Sequence, residues 1–505
     1  MRLLMLDRKL SRDVVKLAAP VVLGMVAQTS VNLADTIMVG WMKDEVQSVA
    51  GVAAIGITLP LYWAVGGFLS ALAVGTQALT ARRFGEGKPE GSGRVLYNSL
   101  SAAFIFGAFA SIVGALLIPF VFPFFNSNPD VVRLGIPYAQ LRFLGVLSMV
   151  ATIGYKAFFD GIGKTYVHMT ASIVMNVVNI ILSALFIFGL FGFPEMGVVG
   201  AGLANTIASY MGMGIMVAWS FKPEIIATYR HYRRSNFNWP VLREIVRLSL
   251  PGGLATIVVM SGFLLFMKIV GHIDQQEWLA SFPRASLFDL HRMLNEALAG
   301  GRASDLLPLA SGLLPAIDGL TAGSRSPLFA AGTKVIIDLM SISFMSAMAI
   351  GTATATLISQ NLGRGKPRLA EQYGWEAVRI SFLTLGMLGF LEVIFPEFFL
   401  HLFTNKAAVI EASAFSLRMV GVVNFMVAAG LIFMQALFGA GNAKFVMYVE
   451  FTLHFTCLVP LAYLFGIHWN LGMEGVWLSA IVYVVSLSSI LAWKFWQGKW
   501  KYIKI

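Results

Sequence analysis

The sequence predicts an all-α integral membrane protein, with about twelve transmembrane helices in two six-helix lobes. Three observations lead there. Hydrophobic residues make up 57% of the 505 residues and charged residues only 12%, whereas a soluble domain is roughly a quarter charged. The apolar residues run in stretches long enough to cross the hydrocarbon core, which takes roughly 20 residues per helix. The second half of the chain also repeats motifs of the first. Backbone in lipid must satisfy its own hydrogen bonds, so helices are the natural spanning elements. The mean hydropathy of +0.75 and the 49 glycines agree, since glycine lets helices approach closely in lipid.

In chain order, spans are expected at 14–40, 47–80, 95–121, 132–157, 167–191, 197–220, 245–271, 329–360, 374–402, 409–437, 444–466 and 472–496. The first follows Arg2, Arg8, Lys9 and Arg12, as a signal sequence would. Its apolar stretch, from Val14 to Gly40, is longer than the roughly 7–15 residues of a signal core, so it is kept as a membrane helix. Cys457 is the single cysteine, which excludes an internal disulfide.

Lysine and arginine collect on one side: the N-terminal tail, Arg82, Arg83, Lys88 and Arg94, Lys164, the stretch after Ser220, Arg364 to Arg368, Lys444 and the C-terminal tail. The other side offers Lys43, Arg133 and Lys406. The positive-inside rule then places both termini in the cytoplasm. The net charge of +11 is a topology signal, not a nucleic-acid footprint.

Residues 1–220 are expected to form the N-terminal lobe, 221–244 a basic and aromatic cytoplasmic linker, and 245–505 the C-terminal lobe. ARRFGEGKPE at 81–90 matches SQNLGRGKPR at 359–368, so Gly85 and Gly363 are 278 residues apart; Gly161 and Gly163 match Gly439 and Gly441 at the same distance. MGVVGAGLAN at 196–205 matches LGMEGVWLSA at 471–480. Pro20 and Pro251, near the start of each half, are only 231 apart, which locates an insertion at about 276–327. Leu290, Leu294 and Leu298 give it a short amphipathic helix, expected on the outer side. An even number of spans per repeat gives parallel copies around a cleft, and rocking them gives alternating access.

Charged groups in spans are costly and usually functional. Gln28, Asn32 and Asp35 share one face of the first helix, and Asp35 lies about 12 Å inside the level of Lys43. A lone buried carboxylate disfavours its charged form, so it can exchange a proton or bind a monovalent cation with amide oxygens. Asn176, Asn179 and Ser183 stripe the fifth helix; Asn205 and Thr206 lie in the sixth. Asn179 and Ser183 join Asn32 and Asp35 in the expected coupling site. Gln28, Tyr62, Asn176, Asn205 and Thr206 are expected in a substrate cavity. In the second half Lys334 and Asp338 are four apart, as are Glu450 and His454. Each is read either as a self-neutralised pair or as a second-lobe charged site. Lys268, Arg379 and Glu392 read as side chains snorkelling from helix ends. GIGKT at 161–165 lacks the upstream glycine of a phosphate loop, and GEGKP and GRGKP read as turns. With no nucleotide-hydrolysing, nucleophile–base or zinc motif, the chain is expected to be no enzyme, to need no cofactor or metal, and to draw energy from a gradient.

LAAP at 17–20, LADTIMVG at 33–40, ARRFGEGK at 81–88, FFDGIGKT at 158–165, NVVNIIL at 176–182 and GVVGAGLAN at 197–205, with their second-half copies, resemble the multidrug and toxic compound extrusion (MATE) transporters. The resemblance covers the chain except 276–327. It implies a V of two lobes that exports organic, often cationic, solutes in exchange for H+ or Na+. It also implies that Asp35 is the proton or cation site and Asn179 its support. Where one branch of the family has a second acid this chain has Ser183. Another branch has a glutamate in the seventh helix, absent from Val258–Ser261, and an aspartate where this chain has Asn442. The family's usual second-lobe site is therefore missing. The expectation is an ion-coupled antiporter of the plasma membrane, monomeric, with a small-molecule substrate, lipid contact and no nucleic acid. A lipid-linked saccharide flippase and a non-transporting receptor or scaffold are the alternatives.

Overall fold

The computed structural model describes residues 6–125, 129–281, 328–403 and 407–504. The leucine-striped helix expected within 288–300 lies outside them. The described residues are helical, with no strand. Eleven helical stretches among them are long and apolar enough to cross a membrane, and the long helix Arg8–Gly40 packs alongside.

The first six spans are α1 (Arg8–Gly40), α2 and α3 (Glu45–Ser70, Leu72–Gly85), α4 (Pro89–Val121), α5 and α6 (Pro129–Leu144, Val146–Gly161), α7 (Tyr166–Phe188) and α8 (Gly197–Ser220). The side chain of Asp7 caps α1 by accepting from the N–H groups of Lys9 and Leu10, which satisfies donors the first turn leaves open. A short α9 (Pro223–Tyr229) lies in the linker. The second set is α10 (Trp239–Ser281), α11 (Leu328–Gly363), α12 and α13 (Pro367–Ile394, Pro396–His401), α14 (Ala407–Gly439), α15 and α16 (Ala443–Leu453, Val459–Tyr463) and α17 (Gly472–Trp496).

Four expected straight spans are broken, the first two at Ala71 and Gly145. Pro396 ends α12 and starts α13, because proline cannot donate into a continuing helix. The eleventh span carries two π-helical turns, His454–Leu458 and Leu464–His468, on either side of Val459–Tyr463 with its Pro460. Outward faces are apolar, as lipid requires: Ile105, Phe109, Ile112, Leu116 and Phe120 of α4 are all exposed.

α1–α8 pack chiefly among themselves, as do α11–α17. Their junction involves α3, α10 and α11 and the first half of α1. Gln77 Nε2 donates to the Thr352 carbonyl (3.0 Å) and Thr356 Oγ1 (2.8 Å). Ser359 donates to the Ala78 carbonyl (2.7 Å) and Gln360 to the Gly161 carbonyl (2.7 Å). The Asp7 N–H and the Ser11 hydroxyl both donate to Glu376 of α12. The repeated glycines serve this junction directly. A Cβ on Gly85 would collide with the Gln360 carbonyl, and one on Gly363 with the Arg82 carbonyl. Gly87 and Gly365, in the matching loops, both adopt positive φ, 73° and 68°, which glycine alone takes without strain.

Candidate functional site: a buried carboxylate among α1, α7 and α8

Asp35 is 2% exposed, five residues before the end of α1. The Ser183 hydroxyl of α7 donates to its Oδ1 at 2.8 Å, and Asn205 Nδ2 of α8 donates to its Oδ2 at 2.8 Å. Each oxygen therefore has one neutral donor, which stabilises negative charge without cancelling it. Asn205, expected to line the cavity, also binds the carboxylate. One turn from Ser183, Asn179 is 1% exposed, and Asn176 is 6% exposed. The amide atoms of both have no hydrogen-bond partner among the described side chains. A buried amide without a partner costs on the order of 1–3 kcal/mol, and two lie on this one face next to the carboxylate. Gln28 and Asn32 lie on α1, but their side chains fall outside the described residues.

Thr206 is bonded to backbone. Its hydroxyl donates to the carbonyls of Leu141 (2.6 Å) and Gly202 (3.0 Å), and Tyr210 donates to the Leu144 carbonyl (3.0 Å). The Leu141 and Leu144 carbonyls flank the break between α5 and α6, where helical partners are lost. The break in turn sets Arg142, which the sequence reading passed over. Arg142 is 7% exposed in mid-span. Its guanidinium lies 4.7 Å over the ring of Tyr62, and Tyr138 and Asp35 are within electrostatic reach. Tyr62, itself buried, stands edge-on to Phe143. The only sequence signal was an arginine inside an apolar run, without a partner at three or four residues.

The second-lobe residues are not brought together. Lys334 Nζ lies 2.6 Å from Asp338, on a half-exposed face of α11. Glu450 and His454 are buried on the eleventh span. Tyr483 of α17 donates to Glu450 Oε2 at 2.8 Å, and His454 Nδ1 lies 3.3 Å from the same atom. These are two separate pairs. Glu392 corrects the snorkelling expectation: it is 3% exposed and accepts from Asn424 Nδ2 at 3.3 Å. The apolar sequence continues through α13 to Phe403, so the end of α12 is not the membrane surface.

The MatE family pattern matches residues 20–185 and 309–464, one stretch in each half. The chain is 25% identical over 98% of its length to a probable multidrug resistance protein NorM of Thermotoga maritima, covering 94% of that protein. It is 20% identical, over 96% of its length and 94% of the relative's, to the multidrug resistance protein MdtK of Cronobacter sakazakii. In fold it is similar to the outward-facing conformation of a multidrug resistance MATE family transporter, with a TM-score of 0.79 at 21% identity, covering 99% of this chain and 98% of that one. A MOP superfamily transporter of Pyrococcus furiosus superposes with a TM-score of 0.77 at 21% identity, covering 99% and 96%. With matches to both halves and a common fold over the full length, the chain belongs to the MATE family and is a multi-pass membrane transporter, not an enzyme.

Proposed function

We propose that the protein is a plasma-membrane antiporter that exports small organic, cationic or amphipathic solutes in exchange for H+ or Na+, with Asp35 as the coupling carboxylate. The observation that carries this is Asp35 held by Ser183 and Asn205 beside the unpartnered amides of Asn176 and Asn179. One carboxylate that takes either a cation from outside or a cationic solute from inside couples the two by competition. The names of the relatives, multidrug resistance proteins, support the substrate class. The lobes are taken as 1–220 and 245–505, both termini are taken as cytoplasmic, and the monomer is the working unit. Solutes would enter between the lobes near Gln28, Tyr62 and Asn176. The lobes touch at the end bearing the GxGKP loops, so with that end cytoplasmic the conformation is open outward.

The test is dye transport in proteoliposomes. A fluorescent cationic dye is expected to move under an inward H+ or Na+ gradient, and Asp35→Asn is expected to abolish that movement. The effective gradient identifies the ion. No dye movement under either gradient would refute drug antiport. Undiminished movement with Asp35→Asn would remove Asp35 from coupling.

A further inference from the structure

A second buried carboxylate lies in the other lobe. Glu392 of α12 accepts from Asn424 Nδ2 of α14 at 3.3 Å, and the same nitrogen donates to Ser343 Oγ of α11 at 3.0 Å. All three are buried, at 3%, 3% and 2% exposed. The helices are pressed together here: a Cβ on Gly389 would collide with the Gly421 carbonyl, and one on Gly421 would sit 3.1 Å from the Cβ of Glu392. Two glycines in backbone contact thus bring α12 and α14 together beside the carboxylate.

Among the described residues, no charged side chain neutralises it. Glu397 and His401 on α13, and Glu411 and Arg418 on α14, are exposed. Lys334 and Asp338 on α11 pair with each other, as do Glu376 and Arg379 on α12. Two further buried hydroxyls, Ser413 and Ser416, lie on the same face of α14 as Asn424, and neither has a hydrogen-bond partner among the described residues. At 1.5 Å per residue they stand about 16 and 12 Å from Asn424, toward the start of α14. Hydroxyls spaced in this way offer partners to water on a route from that end of the helix.

The internal repeat acts as a control. At 278 residues before Ser343, Glu392 and Asn424 stand Val65, Gly114 and Val146. The three equivalent positions in the first half carry no polar side chain, so packing of these helices does not require a carboxylate, an amide and a hydroxyl at these places. Conversely, the second-half counterpart of Asp35, 231 residues on, is Phe266. Asp35 and Glu392 thus stand at non-equivalent places in the repeat.

We propose that Glu392 is a proton-binding site of the C-terminal lobe, with Asn424 and Ser343 holding the carboxyl in place. A dehydrated alkali ion would need a cage of oxygens. Here the amide presents its N–H to both neighbours, leaving one carboxylate and one hydroxyl, which suits a proton. A buried carboxylate without a counter-charge is costly in the membrane, and protonation removes that cost. The role in transport rests on the antiport reading above; the presence of an exchangeable proton does not.

The experiment uses the wild-type protein in proteoliposomes treated with dicyclohexylcarbodiimide, an apolar reagent that modifies protonated carboxyls, with the modified peptides read by mass spectrometry. Glu392 is expected to be labelled at about pH 6 and at least about tenfold less at about pH 9. Labelling is expected to persist in Asp35→Asn and to vanish in Glu392→Gln. Glu392 unlabelled at both pH values, or labelled equally at both, would overturn the proposal. In dye transport, Glu392→Gln is expected to flatten the dependence on external pH; an unchanged pH profile would remove Glu392 from coupling. Failure of the antiport reading would appear as absent dye movement with the labelling intact.

Discussion

At the scale of the residue, the proposed coupling chemistry is a matter of who donates to a carboxylate. Asp35 has one donor per oxygen, from two different helices. Removing a donor from a buried charged acceptor costs on the order of 1–3 kcal/mol. Ser183→Ala and Asn205→Leu are therefore each expected to slow gradient-driven dye transport by roughly ten- to a hundredfold, without the complete loss expected of Asp35→Asn. Full rates in both would mean the donors only pack the helices. A second residue-scale prediction lies in the linker. His231 is 1% exposed against Tyr232 and Phe158. Burial disfavours its imidazolium and lowers its pKa from 6.5 to about 4. The unfolded chain would take up a proton below about 6.5 that the folded linker refuses until about 4. The stabilisation is complete above the unfolded value and fades as pH falls between them. The Tm in detergent is expected to drop from about pH 7 to about pH 5 in the wild type, and to drop less in His231→Phe. Equal slopes would show that other groups govern acid stability. Asp35, Asn176 and Asn179 were legible because polar residues three or four apart declare a helix face. Arg142 and Glu392 were not, because their partners Tyr62, Asp35, Asn424 and Ser343 sit on other helices, and spacing along one helix says nothing of contacts across to another.

At the scale of the element, helix placement follows hydrophobic length closely. Tyr166–Phe188 and Gly197–Ser220 sit within a few residues of their expected bounds. The failures share one cause. The interruptions at Ala71, Gly145, Pro396 and Pro460 leave the apolar run unbroken, and hydropathy cannot distinguish a broken span from a straight one. What allows a break in lipid is a side chain that satisfies the freed carbonyl, as Thr206 and Tyr210 do near Gly145. The GxGKP motif was read correctly as a turn, yet its first glycine has a second duty visible only in three dimensions. Gly85 and Gly363 let the ends of α3 and α11 cross in backbone contact. A methyl group must push these helices apart, since the obstacle in each case is a carbonyl and not a flexible side chain. Gly85→Ala and Gly363→Ala are each expected to cost about 1–3 kcal/mol, read as a lower Tm in detergent. A Tm equal to the wild type in both would show that the crossing has slack.

At the scale of the whole molecule, the repeat was the most legible feature, since glycines at fixed spacing survive where other residues diverge. How the two copies meet was not legible, because the contact is made from unlike residues on either side. The described hydrogen bonds between the copies, among them Gln77 to Thr356, Ser359 to Ala78 and Gln360 to Gly161, all lie in the half of the helices nearest the GxGKP loops. The first turns of α1 add to the same seal through Glu376 and through Tyr373, which donates to Asp13 at 2.7 Å. Alternating access demands that this end part in every cycle. The partings to be made are several neutral hydrogen bonds, each worth about 1 kcal/mol net, and three to the carboxylates of Glu376 and Asp13, each worth about 1.5–3 kcal/mol, so opening must draw on the binding energy of the solute and the coupling ion. Cys457 is the one native thiol. In a Cys457→Ser background, Gln77→Cys and Thr356→Cys joined by a short bifunctional thiosulfonate are expected to arrest dye transport, and a reductant is expected to restore it. Either single cysteine with the same reagent should transport normally. Transport that continues across an intact cross-link would mean that the lobes need not separate here, and that the solute passes by a local rearrangement such as bending of α1 at Pro20.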